Sequence, residues 1–192
     1  MKRFLLYFAG LVLLLSQSSC GYNSMVSKDQ AVKGQWANVQ SSYQRRSDLI
    51  PNLVNTVKGA ANFEKSTLTE VIEARAKATS VQLNADQLTP ENLKQFQEAQ
   101  SQVGAGLGRL LAVSENYPEL KANANFQELQ AQIEGTENRI NVERNKFNGL
   151  VNDYNAYIKS FPNNLFAGLF GFAEKPYFEA DAAAQKAPTV QF

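Results

Sequence analysis

Residues 125–161 read NFQELQAQIEGTENRINVERNKFNGLVNDYNAYIKSF, and this proline-free stretch decides the fold class. Large apolar side chains recur in it at intervals of three and four, as one buried face of an α-helix requires. These side chains are Phe126, Leu129, Ile133, Ile140, Phe147, Val151, Tyr154, Ile158 and Phe161. The pattern predicts one helix of about 37 residues, or about 55 Å at 1.5 Å per residue. A helix of that length needs long partner helices to cover its apolar face.

The segments at the start of the chain have the same helical spacing and supply those partners. The first apolar series is Val26, Val32, Trp36, Val39 and Tyr43. We predict that this helix ends at Arg45-Arg46, where positive charge suits the negative end of a helix. Because proline suits the first turn of a helix, a second helix is predicted from about Pro51 to about Thr79.

A third helix is predicted from Pro90, with Thr89 as its N-cap. Its Gly104 and Gly108 are four residues apart, so we expect a neighbouring helix to approach closely on the face they share. No stretch alternates apolar and polar residues with period two. The sequence therefore predicts an all-α fold, an elongated antiparallel bundle of three to four long helices over residues 25–162.

The N-terminus has the layout of a secretory signal peptide. A basic start precedes an apolar run from Phe4 to Leu15, and Ser16–Ser19 then leads to Cys20, the only cysteine. The apolar run is about twelve residues long, whereas a helix needs roughly twenty to span a bilayer. Cys20 in this setting resembles the cysteine of a bacterial lipobox, which is diacylated and becomes the first residue of the mature protein. An uncleaved signal anchor and plain secretion are the two alternatives.

On this basis the chain divides into a signal peptide at 1–19, an acylated N-terminus with a short linker at 20–24, the bundle at 25–162, and an aromatic segment with a loose tail at 163–192. Two acyl chains hold a protein stably at a membrane. We therefore expect a lipid-anchored protein on the extracytoplasmic side of the bacterial envelope. Gly21 follows the cysteine, whereas Asp there would resemble an inner-membrane retention signal, so the outer membrane is preferred.

The composition excludes several classes of function. The chain has 19 basic and 18 acidic side chains, a formal net charge of +1, and hence no basic excess for nucleic acid. It has no histidine and no second cysteine, which excludes metal sites built on these residues, thiol nucleophiles and the common histidine base. We expect no metal, no cofactor, no nucleic acid and no small-molecule substrate.

Charged residues beside the apolar series are candidates for function. Arg45, Arg46 and Asp48 lie at the predicted turn between the first two helices, where we expect a docking surface for another envelope protein. Charges within a series need partners, because an unpaired buried charge costs several kcal/mol. The residues expected to pair across helices for this reason are Glu64, Arg75 and Arg144.

An aromatic segment, Leu165–Phe172, follows the predicted bundle and contains Phe166, Phe170 and Phe172. It either folds back to cap one end of the bundle or stays exposed as a contact for lipid or for a partner protein. Exposed apolar patches usually mark an interaction surface.

Several blocks of the sequence match motifs of one protein family. They are Tyr22–Val26, Arg45–Val54, Val57–Gly59, Glu73–Arg75, Leu107–Val113, Tyr117–Ala122, Glu137–Ile140, Phe147-Asn148, Tyr154-Asn155 and Phe161-Pro162. On these blocks, of which RRSDLIPNL at 45–53 is the most specific, the chain resembles the LemA family. The resemblance implies an α-helical bundle presented outside the bacterial cytoplasmic membrane, with no biochemical role established for the family. Many members begin with a membrane segment, in place of which we expect a lipid on Cys20 in this chain.

Three hypotheses of different classes describe the function. The leading one is a non-enzymatic bundle, attached to the membrane through a lipid on Cys20, that binds or scaffolds other envelope proteins. The alternative is a lipid-binding or membrane-remodelling module that acts through Leu165–Phe172. The third is a carboxylate-dependent hydrolase that uses Glu64, Glu73 or Glu137, although carboxylates on helices are too common to indicate chemistry.

Overall fold

The computed structural model describes residues 2–59 and 63–179, with side chains from residue 21 onward. Its helices are α1 (Lys2–Lys58), α2 (Lys65–Ser80), α3 (Pro90–Ser114), α4 (Pro118–Lys121), α5 (Ala124–Lys159) and α6 (Asn163–Ala167). A short 3-10 turn spans Ala85–Gln87, and the described ranges contain no strand. The prediction of an all-α bundle is confirmed.

The two long helices, α1 and α5, lie side by side and run in opposite directions. Gln35 of α1 contacts Glu143 of α5, whereas Arg46, farther along α1, contacts Glu137, which comes earlier in α5. The 36 residues of α5 correspond to a length of about 54 Å. These two helices make the molecule elongated, as the sequence predicted.

The largest difference from the sequence prediction is that α1 continues through Arg45–Pro51 and ends only at Lys58, after which α2 begins at Lys65. The buried positions explain why. After Tyr43, steps of three and four lead to further buried side chains, namely Arg46, Ile50, Leu53 and Val57. The buried face therefore crosses Pro51 without a change of phase, and the predicted helix end at Arg45-Arg46 is wrong.

The helices α2 and α3 form a shorter hairpin beside this pair. Gly106 of α3 is buried against Val71 of α2, and a Cβ placed on Gly106 would lie 3.4 Å from Val71 Cγ2. Gly104 and Gly108 were predicted to allow this approach, but a Cβ built on either has nothing within 4 Å among the described residues. Gly106 lies on the same buried face as Val103, whereas the other two glycines flank that face. The N-cap of α3 is as predicted, since Thr89 Oγ1 accepts a hydrogen bond from Asn92 N at 3.2 Å.

The buried side chains form two apolar clusters, one in each half of the bundle. The four-helix cluster is built from α1, α2, α3 and α5, and includes Ile50, Leu53, Val57, Leu68, Val71, Leu107, Leu110, Phe126 and Ile133. The aromatic cluster lies nearer the start of α1 and includes Met25, Val32, Trp36, Tyr43, Phe96, Phe147, Tyr154, Ile158 and Phe178. Because α2 and α3 are shorter than α5, residues 166–178 supply part of the cover of the aromatic cluster.

Two predicted segment boundaries also change. Residues 21–24, predicted as a linker, belong to α1. Residues 163–179, which were separated from the bundle at 162, pack against it, since Ala167 and Phe178 are buried. The predicted loose tail at 180–192 lies outside the described residues, and so do the side chains of residues 1–20, including Cys20.

Candidate functional site

The three residues predicted as a docking surface lie within α1 and not at a turn. Arg45 and Asp48 are exposed, and Asp48 Oδ1 accepts a hydrogen bond from Gln44 Nε2 at 2.8 Å. Arg46 points to the interior and is 3% exposed. The predicted turn is wrong and Arg46 does not present a surface, so the docking role stays a prediction for Arg45 and Asp48.

Arg46 joins three helices at the centre of the bundle. Its Nη1 donates a hydrogen bond to Glu137 Oε1 of α5 at 2.7 Å. Its Nη2 donates to the main-chain oxygen and to the side-chain oxygen of Gln100 in α3, at 3.0 and 2.6 Å. The Tyr43 ring lies 5.1 Å from the guanidinium carbon, a distance at which a cation and a ring attract each other. The fixed fork of donors on arginine suits this set of acceptors, which lysine cannot match.

Arg75 pairs across helices, as predicted, and its partner is a main-chain carbonyl. Pro51 has no N–H, so the carbonyl of Ser47, four residues earlier, lacks its usual donor within α1. Arg75 Nε of α2 donates to this oxygen at 2.8 Å. A buried or half-buried carbonyl without a donor destabilises a fold. Proline is tolerated inside α1 because a side chain of the next helix supplies the missing hydrogen bond.

The carboxylates considered for hydrolysis lie in separate places. Glu64 precedes α2, is exposed, and accepts a hydrogen bond from Ser66 Oγ, so its predicted pairing across helices is wrong. Glu73 is exposed on α2, and Glu137 is paired with Arg46. Within residues 21–59 and 63–179, no group of three or more potential ligands is placed to hold a metal ion. Their positions give no support to the hydrolase hypothesis.

Glu143 is a buried acid that the sequence pattern did not single out. Gln35 Nε2 of α1 donates to Glu143 Oε2 at 2.7 Å, and Lys146 Nζ lies 3.2 Å from Oε1. The hydrogen bond from Gln35, followed by that from Lys146, holds the pKa of Glu143 below its ordinary value of 4.5. Residues 143 and 144 both fit the helical spacing between Ile140 and Phe147, and Arg144, not Glu143, was predicted to lie on the buried face.

We expect Glu143 to contribute to the loss of stability in acid. Because its pKa is lower in the folded state, its contribution is present above pH 4.5 and is lost as the pH falls through the folded-state pKa. Glu143→Gln keeps an acceptor for Gln35 but does not titrate, so the decline in unfolding free energy below about pH 5 becomes shallower. Urea unfolding across this range measures the slope, with the exposed Glu128→Gln as control. Equal slopes for Glu143→Gln and the wild type would contradict the expectation.

The three phenylalanines of the aromatic segment lie next to the first described side chains of α1. Phe166 and Phe172 are half-buried against the aromatic cluster, whereas Phe170 is exposed. The Tyr22 ring centroid is 5.1 Å from that of Phe170 and 5.8 Å from that of Phe172. Each of the two predicted alternatives describes part of the segment, which caps this end of the bundle and also leaves apolar surface exposed.

This end of the molecule exposes several large apolar side chains in and beside α6. Phe161, Leu165 and Leu169 are 80%, 63% and 78% exposed. We call these three residues, with Tyr22 and Phe170, the basal patch. A Cβ built on Gly21 would lie 3.1 Å from Asn163 Oδ1, which places the start of α6 against α1 one residue after Cys20. Among the residues whose side chains are described, no helix has both the length and the apolarity needed to cross a membrane.

Residues 172–179 form a segment without helix that lies along α5, and we call it the C-terminal arm. Asn155 Nδ2 donates to Lys175 O at 2.8 Å, and Asn155 Oδ1 accepts from Lys175 N at 2.9 Å. Asn148 makes the same pair of bonds to Phe178, at 3.0 and 2.9 Å. An N–H and a C=O of one residue point to the same side in an extended chain, so α5 holds the arm as a neighbouring strand would.

The side chain of Phe178 anchors the arm in the aromatic cluster. Its ring centroid lies 5.9 Å from Trp36 in a stacked orientation and 5.5 Å from Phe147 in an edge orientation. The guanidinium carbon of Arg144 lies 4.8 Å from the same ring, and Arg144 Nη2 donates to Glu179 O at 2.9 Å. These contacts of Arg144 are with the arm, not with another helix as predicted.

Charged and polar groups of α1 and α5 hold the first half of the arm. Lys175 Nζ lies 2.8 Å from Asp29 Oδ1, and both side chains are largely buried. Asp29 also pairs with Lys33 at 3.1 Å. Tyr154 donates its hydroxyl hydrogen to Ala173 O at 3.0 Å, and burial, with a smaller effect of Asp29, raises the Tyr154 pKa to about 12. The phenol therefore remains a donor above the pH at which an ordinary tyrosine ionises. Asn148 and Asn155 were noted from the sequence only as parts of a family motif.

A model of the LemA family matches residues 35–192 of the chain. The chain is 27% identical over 180 residues to magnetosome protein MamQ 2 of Paramagnetospirillum magneticum, an alignment that covers 84% of this chain and 66% of that protein. It is 25% identical over 190 residues to magnetosome protein MamQ of Magnetospirillum gryphiswaldense, with 90% and 70% covered. It is 24% identical over 178 residues to protein LemA of Metamycoplasma hominis, with 92% and 78% covered.

Proposed function

Since the chain belongs to the LemA family, we propose that it is a non-enzymatic helical bundle, held at a membrane of the bacterial envelope, that binds or scaffolds other envelope proteins. The observation that carries the membrane part of the proposal is the basal patch. Its exposed side chains Leu165, Leu169 and Phe170 lie at the end of the bundle that contains residues 20 and 21 of α1. A patch of exposed apolar side chains beside a membrane attachment point is suited to the lipid interface.

In this proposal the lipid on Cys20 and the basal patch contact the same membrane surface, on the extracytoplasmic side and preferably at the outer membrane. The length of α5, about 54 Å, then carries the other end of the bundle away from the lipid. The exposed Arg45 and Asp48 lie along this axis and remain available to a partner.

The non-enzymatic part of the proposal is supported by the roles of the acidic side chains. Glu137 is tied to Arg46, and Glu143 is tied to Gln35 and Lys146. Both acids therefore stabilise contacts within the bundle.

The basal patch is expected to strengthen membrane binding beyond what the lipid contributes. Partial transfer of three large apolar side chains into the interface is worth about 2 kcal/mol, or about thirtyfold in partitioning. In a Cys20→Ser background, the triple change Leu165→Ser, Leu169→Ser and Phe170→Ser should lower binding to vesicles of phosphatidylethanolamine and phosphatidylglycerol by about that factor. Vesicle flotation of the full chain measures the bound fraction.

The matched control is Ile72→Ser with Val142→Ser, since both residues are exposed apolar side chains on the body of the bundle. The control pair should leave vesicle binding unchanged. Equal binding by the triple variant and the control would remove the basal patch from the proposal.

A second candidate function, a lipid-binding or membrane-remodelling module, rests on the same exposed side chains. The two candidate functions differ in how much of the protein stays in the membrane fraction of cells after Cys20→Ser. A module that binds lipid through α6 stays in the membrane fraction after this change, whereas a bundle held mainly by its lipid is largely released, since the basal patch adds only about thirtyfold in partitioning. Complete release by Cys20→Ser alone would rule out the second candidate and would also remove the basal patch as a membrane contact.

A further inference from the structure

We propose that the surface that holds the C-terminal arm is an exchangeable binding site, and that the arm of a second copy of this chain is its ligand. The surface, which we call the arm groove, is formed by α1, α3 and α5. Two chains would then each bind residues 172–179 of the other. The inference goes beyond the proposed function by naming a partner, the same protein.

The arm groove recognises the main chain of its ligand. Asn148 and Asn155 are seven residues apart on α5, so two helical turns separate two identical carboxamide contacts on one face. Each carboxamide binds the N–H and the C=O of a single arm residue. Gln97 of α3 adds a hydrogen bond to Glu179 O at 2.7 Å. None of these contacts depends on whether the arm and the groove belong to the same molecule.

The side-chain contacts select the sequence of the arm itself. Phe178 occupies a site between Trp36 and Phe147, and Lys175 reaches the carboxylate of Asp29. Pro176 lies between Lys175 and Phe178, the two residues whose main chain is bound. It has no N–H, and none of the hydrogen bonds described above requires one at this position. The ligand is therefore an extended segment with lysine, proline and an anchoring phenylalanine in this order. A second copy of the chain has this segment by definition.

The connection between α6 and the arm is a turn closed by a hydrogen bond from Phe172 N to Ala167 O at 2.9 Å, and exchange has to open this turn. It runs through residues 168–171, where Gly171 has a φ of 77°, a left-handed conformation that glycine adopts without strain. Exchange keeps every contact between arm and groove, so the balance between closed and exchanged forms depends on local concentration. Attachment to a membrane, which rests on the proposed function, raises that concentration.

Two complementary full-length variants test the exchange. The groove variant, Asn148→Ala with Asn155→Ala, has an intact arm and a defective groove. The arm variant, Phe178→Ala, has an intact groove and a defective arm. Each is co-expressed with the other under a different C-terminal tag, and one tag is captured from a detergent extract. The mixed pair should co-purify about tenfold more than either variant paired with itself, since only the mixture offers a free arm and a free groove.

Two further variants separate exchange from misfolding. Lys175→Pro removes the main-chain N–H that donates to Asn155 Oδ1 and keeps Phe178. Used as the arm variant in place of Phe178→Ala, it should give the same co-purification in the mixed pair. Asn145→Ala with Asn152→Ala, exposed asparagines of α5 with the same spacing of seven, should not replace the groove variant. Co-purification of the mixed pairs at the level of the self-pairs would overturn the proposal. Because all pairs are compared in detergent extract, this outcome is independent of whether the basal patch binds lipid.

Discussion

Replacing Arg46 with alanine is expected to lower the free energy of unfolding by about 3 kcal/mol, near the lower end of the range for breaking a buried ion pair from one side. The change removes the donor to the Gln100 side-chain oxygen and a second donor to its main-chain oxygen, which the helix also bonds, and it leaves Glu137 unpaired at the edge of the interior. The carboxylate of Glu137 is partly exposed and can recover some hydration, which keeps the loss below the upper end of that range.

The adjacent Arg45 is the control, because it has the same side chain, lies in the same helix and is exposed. Arg45→Ala should change the unfolding free energy by no more than about 0.5 kcal/mol. Arg46→Lys should recover only part of the loss, since an ammonium group cannot reach the acceptors on both α3 and α5 as the guanidinium does. Urea unfolding followed by circular dichroism measures all three variants. Similar losses for Arg45→Ala and Arg46→Ala would show that the interior contacts of Arg46 contribute little.

The effect of removing Arg75 is expected to depend on Pro51. In the natural sequence, Arg75→Ala leaves the Ser47 carbonyl with no donor, and the unfolding free energy should fall by about 2 kcal/mol. Pro51→Ala restores an N–H four residues after Ser47, so the helix can supply that hydrogen bond itself. In this background Arg75→Ala should lower stability by only about 0.5 kcal/mol, a coupling of about 1.5 kcal/mol between two residues of different helices.

Chemical unfolding of the two single variants, the double variant and the wild type completes the cycle. Lys77→Ala, an exposed change on the same helix as Arg75, should have the same small effect with or without Pro51. If Arg75→Ala lowered stability equally in both backgrounds, the hydrogen bond to Ser47 would not be what makes Pro51 tolerable.

The helix start wrongly predicted at Pro51 shows the limit of local sequence patterns. A proline preceded by Ser47 and Asp48 has the features of a helix start, and the prediction followed that local pattern. The spacing from Tyr43 to Arg46 and Ile50 supported a continuous helix instead, and it placed Arg46 on the buried face. A buried arginine is rare unless it is paired, and its partner Glu137 lies 91 residues away in the sequence. Nothing local to Arg46 indicates that partner.

The sequence by itself determined the helical class, the length of α5, the capped start of α3 and the lack of histidine chemistry. These properties depend on intervals of three and four residues, on capping residues and on composition, all of which act locally. Only the tertiary structure decided that α1 passes through Pro51, that Arg46 is interior, and that α5 binds the C-terminal arm through Asn148 and Asn155. Periodicity shows which side chains share a face, but the groups that satisfy a carbonyl, a carboxamide or a buried charge come from distant segments, and only packing brings them together.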